Sequence, residues 1–124
     1  MENKYFIPSI EDIRVGYECE SFDDRLQDPN NIKWVKHVLD DWEEVQYIIE
    51  DLSWRVRVPY LTGEQVLNEG FQIAFGKDRY FKGRTEIDLL FENTILISQN
   101  GSVVFCGECK DINTFRQIIK LLGV

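Results

Sequence analysis

A chain of 124 residues, 44% of them hydrophobic, 13% aromatic and 29% charged, is long enough for a packed core and too apolar to be disordered, and its length predicts one domain, residues 1–124. No stretch approaches the roughly 18 consecutive apolar residues of a membrane helix, and the opening MENKYFIPSIEDI has no apolar run of signal-peptide length, so the expectation is a soluble cytoplasmic protein with no membrane partner. The net charge of −8 argues against direct nucleic-acid binding, which needs Lys and Arg on phosphates, and three cysteines, an odd number, argue against a secreted disulfide scaffold.

In chain order, IRVGYECE (13–20) alternates, with Ile13, Val15, Tyr17 and Cys19 on one side and Arg14, Glu18 and Glu20 on the other, which predicts a half-buried strand. SFDDRLQDPNN follows as a polar loop. Residues 32–39 fit a short strand or a helix. From Trp42 a helix prevails, because Trp42, Val45, Ile48, Ile49 and Leu52 share one face, and Asp40 with Glu43 resembles a capping box. WRVRVPY returns to a period of two and ends at Pro59, which lacks a ladder donor.

TGEQVLNEG predicts a short helix with Thr62 as cap, Gln65 closing the box and Gly70 as stop, and FQIAF predicts a strand. GKDRYFKGR reads as a loop. TEIDLLFENTILISQNGSVVFCGE predicts two or three antiparallel strands with turns at Glu92-Asn93 and Asn100-Gly101. DINTFRQIIKLLGV predicts a helix capped by Asp111 or Asn113, stopped by Gly123 and apolar along Ile112, Phe115, Ile118, Ile119 and Leu122. The expected fold class is α+β: a mostly antiparallel sheet of about five to seven strands, two or three helices, and the C-terminal amphipathic helix packed on the sheet.

The stretch FCGECKD (105–111) raises two chemical possibilities. Cys106 and Cys109 form a Cys-x-x-Cys, but at a strand end, where positions i and i+3 face opposite sides. Tetrahedral zinc needs four ligands, and only Cys19 and His37 stand as further candidates, so core packing is preferred and no metal is expected. Asp88 with Glu108-Cys109-Lys110 matches the PD-(D/E)xK nuclease pattern, in which carboxylates hold Mg²⁺ and Lys110 would assist the attacking water. A two-residue turn at Asn100-Gly101 sets Glu108 opposite Asn93, and Asp88 lies about 17 Å further along one long strand. A second turn at Glu92-Asn93 instead pairs Asp88 with Ile97. Only a bulge or a register slip would bring the two carboxylates together.

The single histidine, a partly buried structural residue beside two valines and a leucine, leaves no other triad, and no Gly-rich phosphate loop is present. Lys77, Arg79, Lys82 and Arg84, interleaved with Tyr80 and Phe81, are a secondary binding candidate for phosphate or a single strand, against which a solvated loop is the simpler account. Residues 1–51 carry 14 acids and 5 bases, net −9, whereas residues 52–124 carry 8 and 9, net +1. An acidic half suits a basic partner, or serves only solubility.

The opening KYFIPSIEDIRVGYECE and the closing FCGECKDINTFRQIIKLLGV resemble a group of small accessory proteins of Bacteroidetes phages and prophages, which open on an I-P-S/T-I-E segment leading to V-G-x-E-x-E and close on a strand, G-x-x-K and an N-capped helix ending L-G-[IV]. The resemblance covers the two ends and implies a phage accessory role with no established activity. Joined to the charge asymmetry, it gives the leading expectation: a non-enzymatic, acidic protein-binding module without cofactor, acting in a host cytoplasm. Its partner would be a host protein or ribonucleoprotein with a basic surface, the sharp form being an inhibitor of a host nucleic-acid-targeting defence complex, like an anti-CRISPR protein. The binding residues would be Asp40, Asp41, Glu43, Glu44, Glu18 and Glu20. The alternatives are the metal-dependent nuclease using Asp88, Glu108 and Lys110, and a virion or assembly component.

Overall fold

The structure, a computed structural model, describes residues 4–23, 33–50, 54–74 and 78–124. They fall into two compact units, Met1–Pro59 and Tyr60–Val124. The expected α+β architecture with antiparallel strands and a C-terminal helix is observed, and the strands are distributed over two sheets, one in each unit.

The first unit holds β1 (Tyr5–Phe6), a 3₁₀ turn (Ile10–Asp12), β2 (Glu18–Asp23), β3 (Val35–Val38), α1 (Trp42–Glu50) and β4 (Trp54–Pro59). The sheet order is β1-β4-β2-β3, with every pair antiparallel. The strand expected over residues 13–20 begins only at Glu18. Gly16 has φ +89°, a left-handed backbone that ends extended pairing, and Tyr17 N–H returns to the Arg14 carbonyl in a turn. Gly16 N–H still donates to Leu39 O at 2.6 Å and Leu39 N–H to Tyr17 O at 3.0 Å, which ties this turn to the end of β3. Residues 35–38 are strand, which resolves the ambiguity over 32–39.

Alternation then sorts the first sheet. Tyr17, Cys19 and Val58 are buried in one core with Leu39 and with Val45 of α1, and Phe6, Ile13, Ile48, Ile49 and Val56 pack around them. Trp42 was expected on the apolar face of α1 but is 72% exposed, because it occupies the first helical position, before the buried stripe begins at Val45. Leu52 lies outside the described residues.

The second unit is α2 (Gly63–Asn68) followed by a meander of β5 (Gln72–Ile73), β6 (Arg79–Lys82), β7 (Thr85–Leu89), β8 (Thr94–Gln99) and β9 (Ser102–Glu108), closed by α3 (Ile112–Leu121). α2 carries the expected capping box: Thr62 Oγ1 accepts from Gln65 N–H, and the Gln65 side chain accepts from Thr62 N–H. The middle of the stretch expected as a basic loop, Arg79–Lys82, is the strand β6. Tyr80, buried, pairs with Ile87, and Gly83 (φ +61°) turns the chain into β7. Both later turns fall at the expected residues: φ is positive at Asn100 and Gly101, a two-residue primed hairpin, and at Glu92 and Asn93, where Leu90 N–H donates to Thr94 O and the connection is one residue longer, 91–93.

α3 lays Ile112 and Phe115 into a core made with Val66, Phe71, Tyr80, Ile87, Ile95 and Ile97, and Ile118, Ile119 and Leu122 pack against it. Its cap is Asp111, whose carboxylate accepts from Thr114 N–H, Thr114 Oγ1 and Asn113 Nδ2. α2 seats on the same core at Gly63, where an added Cβ would collide with the buried Tyr80 hydroxyl. Gly63→Ala should therefore cost about 1–3 kcal/mol in urea unfolding. Tyr80→Phe in the same background should return part of that loss, and equal costs in both backgrounds would show that the hydroxyl is not the obstacle.

Candidate functional site

Most of the chain's charged side chains that sequence reasoning nominated are held by partners of their own. On β2, Glu20 stands opposite Arg57 of β4 and accepts from it at 2.7 and 2.8 Å. The Arg57 guanidinium lies 3.6 Å from the Tyr5 ring centroid and 4.2 Å from that of Trp34, and Trp34 packs edge-on against Phe22 at 4.6 Å. Glu18, a buried carboxylate on the same face as Glu20, has Lys36 of β3 at 3.6 Å. Glu18 and Glu20 thus tie β2 to its two neighbours.

Asp40, Asp41, Glu43 and Glu44 are exposed at the start of α1. The capping arrangement runs one residue later than the Asp40/Glu43 pair expected. Asp41 Oδ1 accepts from Glu44 N–H at 2.9 Å, and Glu44 Oε2 accepts from Asp40 N–H at 2.7 Å. Because helical positions three and four apart are neighbours, Asp41, Glu44 and Ile48 rise along one side and Glu43 and Tyr47 along the next. With His37 and Leu39 from the end of β3 they line a groove of about 630 Å³. Leu39 is fully buried, whereas Tyr47 is 49% exposed. The His37 ring is fixed through Nδ1, 3.2 Å from the buried Ser21 Oγ. Three carboxylates therefore border a surface of aliphatic and aromatic carbon. Sequence reasoning named the carboxylates and missed His37, Leu39, Tyr47 and Ile48 as their companions, although all lie within twelve residues of one another.

The remaining candidates stay apart. Lys77 lies outside the described residues. Arg79 donates to Asp88 at 2.7 Å, Arg84 to Asn100 Oδ1 at 3.4 Å, and the Lys82 ammonium lies 5.8 Å from the Phe71 ring. On a strand Arg79 and Lys82, three apart, face opposite sides. A bulge does occur between β8 and β9, where Val104 is left over between the Ile97–Phe105 and Ser98–Val103 pairs. It sets Glu108 opposite Thr94 rather than Asn93, while Asp88 pairs with Leu96 rather than Ile97. β8 stays between the two carboxylates, and two strand spacings plus two residues of offset put their Cα atoms about 12 Å apart. Asp88 is turned to Arg79, and Glu108 has Lys110 at 3.8 Å. Among the described residues no three His, Cys, Asp or Glu side chains gather as a metal site, and no helix is long and apolar enough to cross a membrane.

Cys106 is exposed and Cys109 buried, so the two thiols diverge as a strand dictates. Burial, then the neighbouring Asp111 charge, pushes the Cys109 thiol up to about 12, and burial followed by Glu18 and Glu20 pushes Cys19 up to about 11. A water-soluble disulfide reagent at pH 8 should therefore modify one thiol quickly in the native chain and all three in denaturant, and Cys106→Ser should abolish the fast phase. Two fast native thiols would contradict this placement. Comparison of the chain with known protein families, curated proteins and solved structures finds no match.

Proposed function

We propose that the chain is a protein-binding module that presents the groove at the start of α1 to a basic partner surface. The observation that carries this reading is the groove's composition: Asp41, Glu43 and Glu44 beside the exposed Tyr47 and the half-buried Ile48. Carboxylates beside exposed carbon suit a partner that brings both positive charge and apolar surface, and charge complementarity sets association rate and partner choice. Trp42 supports the same reading. It stands between Asp41 and Glu43, contributes nothing to the core of its unit and is 72% exposed, and Trp is the residue type most concentrated in binding hot spots. The resemblance of the chain ends to Bacteroidetes phage accessory proteins directs the choice of partner toward a host nucleic-acid-targeting defence complex, whose basic clefts an acidic surface complements. On this reading the chain acts in the host cell by occupying such a cleft and needs neither metal nor cofactor.

The substitutions that test this must spare the helix. Asp41 is the cap, so Asp41→Ala should cost about 1 kcal/mol of stability whatever the partner. The Glu43 carboxylate makes no ion pair or hydrogen bond among the described residues, and neither does that of Asp40. With the full chain as bait in a host extract, Asp40→Lys with Glu43→Lys should lower the affinity of the retained basic complex roughly tenfold, mainly through slower association, and added salt should mimic the loss. Circular dichroism and melting temperature should stay near those of the parent chain. Retention indifferent both to salt and to these substitutions would make the acidic surface a solubility device.

A further inference from the structure

A partner can bring its positive charge as lysine or as arginine, and the groove discriminates between them. Lysine offers a compact, strongly hydrated point charge. Arginine offers a flat, weakly hydrated guanidinium whose edge hydrogen-bonds carboxylates while its faces lie on aromatic rings. The groove supplies both kinds of surface together. Asp41, Glu43 and Glu44 give acceptors, the Tyr47 and His37 rings give faces, and the half-buried Ile48 gives aliphatic carbon that a hydrated ammonium would leave uncovered. His37 is held in place by the Ser21 contact at 3.2 Å, so its ring is a set surface.

The same unit already houses one guanidinium, and it does so by this chemistry. Arg57 has a carboxylate at its edge, Glu20 at 2.7 Å, and aromatic rings at its faces, Tyr5 at 3.6 Å and Trp34 at 4.2 Å. That cage is filled from within the chain. The groove at α1 sets carboxylates beside the half-exposed Tyr47, and the carboxylate of Glu43 makes no ion pair or hydrogen bond among the described residues.

We propose that the groove is an arginine-side-chain pocket, and that the partner inserts an arginine between the Asp41, Glu43 and Glu44 carboxylates and the ring of Tyr47. This rests on the binding-module reading and names the residue the partner must supply. The test uses the full chain and two six-residue peptides of equal charge, hexa-arginine and hexa-lysine, followed by amide NMR titration at fixed ionic strength. Hexa-arginine should shift the amides of residues 37–48 and bind roughly fivefold more tightly than hexa-lysine, the size of one exposed cation–π contact. Tyr47→Leu should erase that preference while leaving the weaker charge-driven binding, and Glu43→Gln should weaken both peptides. Equal affinities of the two peptides at the groove would overturn the arginine pocket and leave the basic-partner reading standing. Peptide shifts elsewhere, with none at residues 37–48, would overturn both.

Discussion

Backbone N–H groups at the start of a helix have no partner within it and must find one nearby. In α1 the partners are Asp41, which caps Glu44 N–H, and Glu44, which reaches back to Asp40 N–H. These two bonds fix where the helix begins, and that start places Val45 in the core and Trp42 in solvent. It also sets Ile48 and Tyr47 one turn above the carboxylates. The groove is thus a by-product of how the chain turns from β3 into α1. Gly16 and Tyr17 anchor the strand side of that turn through Leu39, so the groove shares its framework with the core of its unit.

The outer face of the first sheet shows why acid content alone misleads. Glu18 and Glu20 sit among the acidic residues of the N-terminal half, yet their surroundings are internal. Removing a carboxylate from water costs more than its Coulomb attraction returns unless the geometry is good and further hydrogen bonds are made. Arg57 meets that condition by donating twice to Glu20 and stacking on two rings. The second unit repeats the lesson with the opposite sign. Arg79 on Asp88 and Arg116 on Glu69 are paired within the unit, and the basic run that looked continuous in sequence alternates across β6. At the start of α1, by contrast, the carboxylates of Asp40 and Glu43 make no ion pair or hydrogen bond among the described residues.

Local chemistry was the legible part of the fold. The Thr62/Gln65 box, the Asn100-Gly101 turn, the period of two before Pro59 and the apolar stripe of α3 each depend on residues a few positions apart, and each is found where the sequence put it. What failed depended on a single backbone state or on distant pairing. Gly16 at φ +89° cut short a strand whose alternation looked unbroken. Arg79-Tyr80-Phe81-Lys82 does not alternate polar with apolar, and its two charges and the Gly on each side carry a loop signal, so only the pairing of Tyr80 with Ile87 places it in the sheet. The single-residue bulge at Val104 shifted the β8–β9 register, and no local feature of Ser102–Glu108 announces it. At the candidate site, charge was legible and shape was not, because the groove needs the end of β3 to lie beside the first two turns of α1.

Amide hydrogen exchange on the full chain, alone and bound to the complex it retains from a host extract, addresses the central claim most directly. The account predicts that binding slows exchange at residues 37–48, where β3 runs into α1, and leaves β6 and β9 unchanged. Protection confined to β6, β9 or α3, with residues 37–48 exchanging as they do in the free chain, would contradict it and move the recognition surface to the second unit.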